Sequence, residues 1–542
     1  MNQPSWSERL LRWEPILFYL MLVLNWWPVL SVTYFPSLDG PAHLYNADLI
    51  QSILFEKDSF VADYFSFHRE PVPNWTGHLL LMFLGFFFSA LWTQKIFLIV
   101  LISALPLAFR ALMKTAQPAH HWFSWLVFPF VYSFVFYLGF YNFLLGLVFL
   151  MITLAFNLRG SHNRIPNNRL FHYFILFALC YFSHVFVFAM LLCCLAIQEF
   201  FQLFSAKGKD SSIRQRLLNI LSNAIKIGLP ALPFLILLLY YFWKRPPIGE
   251  PYYMEKTVLM DWIKNVRPII ALHFQIEEAY TKKIFYLISA LLVISLYELL
   301  KIGNDSSQKQ KSFMDRFQNK LKRADAWLWM TALFLFLYFY LPDSDGNAGF
   351  VSVRLGLLFF LFLILWIGAQ PLPLLLGVFS ALLSVYCNFS LNEYYLKENE
   401  QKSAKIEDLM AVKKLLQPNT VLLPLNFEED WLLGHSPNLL GVDNAVVVLE
   451  NYEAATNYFP LRWKDESLPD FRLGESSIAA FNCISCRNNV QGKHKAIDYI
   501  YKMGNRRDTT NACENDFFAK VESGYEKIYS GFNGILWKRK GM

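Results

Sequence analysis

Apolar runs recur along most of this chain, and many approach the roughly 20 residues that an α-helix needs to cross a bilayer. The pattern covers residues 13–34, 95–112, 122–138, 141–158, 172–182, 185–204, 217–243, 285–301, 327–340, 355–367 and 373–386. Only 17% of residues are charged, against about 25% in soluble domains. The expected class is an all-α polytopic membrane protein with about eleven transmembrane helices. Beyond residue 390 the composition changes. Residues 397–416 are charged and helical, 420–425 and 445–450 are patterned as strands, and the chain ends in Gly534-Ile-Leu-Trp-Lys538. The expected division is a membrane domain over 1–390 and a small C-terminal α/β domain over 391–542.

Basic residues set the expected orientation. Arg159, Arg164 and Arg169, then Lys207 to Arg216, then Lys309 to Arg323 fall in alternate loops, as the positive-inside bias prefers for cytoplasmic segments. With Arg9 and Arg12 ahead of the first span, the N-terminus is expected in the cytoplasm and the tail outside it. The loop 244–283 is basic too and counts as an exception. Parity holds if 79–92, short for a span, lies in or dips into the outer boundary; a true crossing is the alternative. The net charge of +7 belongs to these loops and does not point to nucleic acid.

One polar stretch interrupts the apolar pattern. Residues 36–78 form the first external loop and carry Asp39, His43, Tyr45, Asn46, His68, Arg69, Glu70, Asn74 and His78. Ionisable groups at a bilayer edge are costly unless something uses or satisfies them. Asp39-Gly-Pro is also ordinary turn and cap chemistry, and Asn74 suits a cap for a helix beginning at Thr76. Residues 42–55 are patterned as a short amphipathic helix. Asn74-Trp-Thr76 and Asn388-Phe-Ser390 match a glycosylation sequon, a pattern common by chance. No phosphate loop, metal-spaced His/Cys cluster or catalytic Ser/His/Asp spacing appears. In the tail, Cys483, Cys486 and Cys513 favour a disulfide between Cys513 and one of the first two. A redox pair and a zinc site are the alternatives.

At Asp39-Gly-Pro-Ala-His43 the chain resembles the GT-C superfamily of integral membrane glycosyltransferases, which includes protein O-mannosyltransferases, aminoarabinose transferases and oligosaccharyltransferases. Those proteins place an acidic residue in the first external loop, follow it with many spans, and often close with an external soluble domain. The resemblance implies transfer of a sugar from a polyprenyl-phosphate-type donor to a protein, glycan or lipid acceptor on the extracytoplasmic side of the inner membrane. Asp39 would act as the base, with inversion at the sugar. Arg245, Arg267 and Arg354 would meet the phosphate, because guanidinium forms a bidentate fork with it. His43, Tyr45, Asn46, His68, Arg69, Glu70, His78 and Asp343 are the remaining candidate substrate contacts. His43 either orients Asp39 or touches substrate. Arg69 pairs with Glu70, lipid phosphate or substrate. A divalent metal cofactor is neither required nor excluded. The rival expectation is a non-catalytic protein of similar layout, acting as a transporter or assembly partner.

Overall fold

The computed structural model describes the chain except for residues 1–5, 58, 161–166, 206–212, 245–249, 303–324, 347–348, 457, 468–496 and 505–511. Among the described residues, seven helices are long and apolar enough to cross a bilayer. They are Arg12–Leu30, Ala90–Ala116, Tyr141–Gly160, Leu218–Lys244, Phe274–Glu298, Val351–Gly368 and Leu374–Lys413. A membrane protein follows from them; the eleven expected crossings do not. Leu170–Ser183 has 14 residues and Asp325–Tyr340 has 16, which span about 21 and 24 Å against a core of roughly 30 Å. Val185–Ser205 has 21 residues, about 31 Å of rise, so length does not exclude it as a crossing. The apolar run 122–138 is not one α-helix but a 3₁₀ segment, Pro118–Phe130, followed by the single turn Phe134–Tyr137. Apolar content looks the same in both geometries, so composition could not separate them. The 79–92 region is likewise broken, between the ten-residue helix Thr76–Gly85 and the start of Ala90–Ala116.

The chain divides into two compact units. The first comprises Met1–Trp26, Leu101–Phe136 and Phe143–Tyr395. Its core is the helix Val351–Gly368, buried from Ser352 to Gly368. This helix packs on Asp325–Tyr340 and on Pro118–Phe130, with Phe362 set edge-on against Phe334 at 4.9 Å. The same unit buries one ion pair: Arg110 donates to both oxygens of Glu14, at 2.6 and 2.5 Å. Trp125 Nε1 donates to that carboxylate at 2.7 Å, and His121 Nε2 stands 3.2 Å from it.

The second unit comprises Trp27–Val100, Tyr137–Asn142 and Leu396–Met542. Its sheet runs in the order β3-β2-β5-β7-β6, built from β2 (Thr420–Asn426), β3 (Val446–Val448), β5 (Tyr499–Met503), β6 (Tyr525–Ser530) and β7 (Gly534–Arg539). β2 is parallel to β3 and β5, while β7 is antiparallel to β5 and β6. The β-branched and aromatic content of these segments suits a pleated, buried surface. A two-stranded ladder joins β1 (Phe65–Phe67) to β4 (Leu461–Trp463), with Phe65 stacked on Trp463 at 4.3 Å. The composition break near residue 391 falls inside the continuous helix Leu374–Lys413.

The amphipathic helix expected over 42–55 is instead Gly40–Gln51, followed by a π-helical turn, Ser52–Glu56. Gly40–Gln51 is buried almost all round, because its polar side chains find partners in the residues after 430.

Candidate functional site

Asp39 stands just before the helix Gly40–Gln51 and makes no side-chain cap bond to it, which leaves its carboxylate available for other partners. The position is fixed by backbone: Asp39 N donates to Leu138 O at 3.2 Å, and His43 N donates to Asp39 O at 3.0 Å. Gly139, at φ +80°, lies against this corner. A Cβ there would sit 2.8 Å from Asp39 N, so only glycine permits the approach. The Gly139 carbonyl accepts from His43 Nε2 at 2.9 Å.

The opposite edge of the His43 ring faces Glu453. His43 Nδ1 lies 2.5 Å from Glu453 Oε1, and His78 Nε2 lies 2.8 Å from Oε2. The two imidazoles meet edge to face at 5.0 Å. All three side chains are buried, at 5%, 0% and 1% exposure for His43, His78 and Glu453. Asn46 Nδ2 donates to Glu453 Oε2 at 2.7 Å and pairs reciprocally with the Asn451 amide. His78 Nδ1 is fixed by the Asn74 carbonyl at 2.9 Å. Burial alone would lower the His43 pKa, but the adjacent Glu453 charge outweighs it and the net shift is upward. Burial would likewise raise Glu453, yet His43 and His78 hold it down at about 2.

A second carboxylate–histidine pair completes the site. Glu450 receives His435 Nδ1 and the Asn438 amide, and His435 Nε2 points to Asp39 Oδ1 at 3.7 Å. Burial works against a charged His435, but Glu450, then Asp39 and Glu453, push its pKa up to about 9. Burial raises Asp39 despite the opposing pull of His435 and His43, and a Tyr452 hydroxyl bond partly offsets the rise. Tyr452 also stacks on His435 at 4.3 Å. The turn carrying His435 is anchored by Asn426, at the end of β2, which donates to the Leu433 and Gly434 carbonyls. Glu450 and Glu453 follow β3 in the same way. The site therefore gathers at the carboxyl ends of two parallel strands, where open α/β sheets commonly place ligands.

The other expected site residues are placed as follows. Tyr45 is fully buried; its hydroxyl donates to Val446 O at 2.8 Å and accepts from Val448 N at 3.1 Å, so it clamps β3 and is not open to a sugar. His68 contacts the Thr456 carbonyl at 3.4 Å, Arg69 is exposed and Glu70 half-buried. Asn74 does not cap the helix at Thr76 but donates to Tyr458 O at 3.0 Å. Arg267, Asp343 and Arg354 belong to the first unit. There Arg267 stacks on Phe134 at 4.0 Å and donates to Ile270 O, while Asp343 accepts from Ser352 N at 2.9 Å. Arg354 lies 3.3 Å from His184 Nε2. Arg245, Cys483 and Cys486 lie outside the described residues, as does the Cys513 side chain, and the disulfide expectation with them.

Sequence reasoning missed His435, Glu450, Tyr452 and Glu453. The available signal was the polar Glu450-Asn-Tyr-Glu453 immediately after an all-valine strand. A small cavity of about 30 Å³ in this unit lies beside Asp48, Leu81 and Asp443 and does not include Asp39. Comparison with family models, with curated proteins and with solved structures gives no match to this chain.

Proposed function

We propose that this chain is a membrane-embedded transferase that moves a sugar from a polyprenyl-phosphate-type lipid to a protein, glycan or lipid acceptor, with inversion. The observation that carries the reading is the enclosed Asp39 carboxylate 3.7 Å from a histidine that Glu450 holds in place. Such a pair offers a base and a cation side by side. The acceptor oxygen bonds to the anomeric carbon as the sugar–phosphate C–O bond breaks. The acceptor proton passes to Asp39, and the bonding electrons leave on the phosphate, whose charge the His435 imidazolium offsets. Seven membrane-length helices and the GT-C-like placement of Asp39 support a lipid-linked donor. The basic loops support a cytoplasmic N-terminus, an extracytoplasmic tail and residence in the inner membrane.

A second reading, a non-catalytic partner that uses the same cluster as an internal clamp, is favoured by the burial of Asp39 at 8% exposure. The test is transfer by the full chain in proteoliposomes, with a panel of radiolabelled short-chain polyprenyl-phosphate sugars. Asp39→Asn is expected to cut the rate by about 10²–10⁴-fold, the usual range for general-base catalysis, with unchanged melting. A variant rate within threefold of wild type sinks Asp39 as the base. Wild type inert on every donor, with Asp39→Asn less stable, favours the clamp.

A further inference from the structure

The hydrogen bonds around Glu453 leave a charge question that the transfer chemistry does not use. A carbonyl oxygen can only accept, so the Gly139 carbonyl requires a proton on His43 Nε2, and the Asn74 carbonyl requires one on His78 Nδ1. Each neutral imidazole then turns a bare lone pair toward a carboxylate that has only lone pairs to offer. At 2.5 and 2.8 Å those contacts are repulsive unless positive charge lies among them. Protons can supply that charge only one to each contact, whereas a single metal ion would face all three ligands at once. Moreover, His43 Nδ1 and Glu453 Oε1 make no aligned hydrogen bond despite their closeness. Both atoms are buried.

We propose that His43 Nδ1, His78 Nε2 and the Glu453 carboxylate together bind one divalent transition-metal ion, with zinc the best fit. The three ligand atoms lie within 4.8 Å of one another, and tetrahedral zinc at about 2.0–2.2 Å from N and O ligands needs spacings near 3.4 Å. The 2.5 and 2.8 Å contacts open by less than about 1 Å to reach that. Two imidazoles and one carboxylate suit zinc or its neighbours, whereas magnesium and calcium prefer all-oxygen sets. The supporting shell matches as well: each histidine gives its second N–H to a backbone carbonyl, and Asn46 orients the carboxylate. Three protein ligands are the count of zinc sites that keep one position open for a further ligand.

This inference is independent of the transfer reading, and its test does not read activity. The full chain, purified in detergent, is stripped with a chelator and dialysed against Zn²⁺ alone, and bound metal is counted by mass spectrometry. About one ion per chain is expected, falling at least fivefold in His78→Ala and Glu453→Gln and unchanged in His172→Ala. Cobalt loading of wild type should give the intense visible bands of a tetrahedral site, which covers the case in which a variant fails to fold. Wild type that retains no zinc and shows no cobalt bands overturns the site. Equal zinc in wild type and a folded His78→Ala variant overturns the ligand assignment.

Discussion

Glu14 and Glu453 are both carboxylates with at most 1% of the side chain exposed, one in each unit, and their partners separate them. Glu14 receives a bidentate guanidinium, an indole N–H and a histidine. Its counter-charge is covalently part of the chain and permanent, since arginine does not deprotonate in proteins. Glu453 has no arginine or lysine among its described partners; it faces two imidazoles whose other nitrogens are already committed. A buried acid with a fixed cation is a lock. A buried acid framed by histidines has counter-charge only as far as those rings are charged.

The largest effect should come from breaking the lock. Arg110→Met strands Glu14 and should cost about 3–5 kcal/mol of unfolding free energy, the usual penalty for orphaning one partner of a buried pair. Denaturant titration in detergent checks it, with Zn²⁺ making no difference. The double change with Glu14→Gln should recover much of the loss, and a cost below about 1 kcal/mol for Arg110→Met would erase the distinction.

Next in size is pH. His435 faces Glu450, Asp39 and Glu453, and its folded pKa of about 9 exceeds the ordinary 6.5. Protons therefore bind the folded state more tightly. The stabilisation is complete below about pH 6.5 and is lost as pH rises through about 9. That loss should amount to about 3 kcal/mol, taking 1.36 kcal/mol per unit. Glu450, also raised by burial, contributes a slope of the same sign at lower pH, so the measurement is the difference in slope between wild type and His435→Gln. Equal slopes between pH 6.5 and 9.5 would remove His435 as the cation.

Glu453→Gln should be milder than Arg110→Met, about 1–3 kcal/mol, because the new amide can donate to an imidazole nitrogen. Unlike the lock, it should abolish any stabilisation of the chain by Zn²⁺ in a thermal melt. Smallest is Tyr45→Phe, which frees the Val446 carbonyl and Val448 N–H and should cost about 1–2 kcal/mol. A neutral result in denaturation would mean that β3, which leads into Glu450 and Glu453, is held by other contacts.

The sequence carried part of this plan. Strands at 420–425 and 445–450 were legible because β-branched runs bounded by turns have a local cause. The polar stretch with Asp39, His43 and His78 stood out against apolar neighbours. Glu453 and His435 did not, because nothing local ties a residue near 450 to one near 40. The amphipathic reading of 42–55 failed for the same reason: Tyr45 and Asn46 count as a wet face until their distant partners are known. The eleven crossings are not all recovered: the run 122–138 is broken, and two helices have 14 and 16 residues, where length alone cannot distinguish a span from a buried helix.

His78 and Glu453 stand 375 residues apart, and that interval is also a delay. At about 5–20 residues per second of synthesis, roughly 20–80 s separate the emergence of the two side chains. Throughout that time the early histidines have no carboxylate to face. The helix Gly40–Gln51 also lacks the partners that later enclose it. Insertion of the first helices thus cannot assemble the His43–His78–Glu453 cluster; only translation past residue 453 can. A ribosome that stalls before that point releases a chain whose first loop is still unfinished, and its uncovered polar helix is a mark by which quality control can tell it from the complete protein.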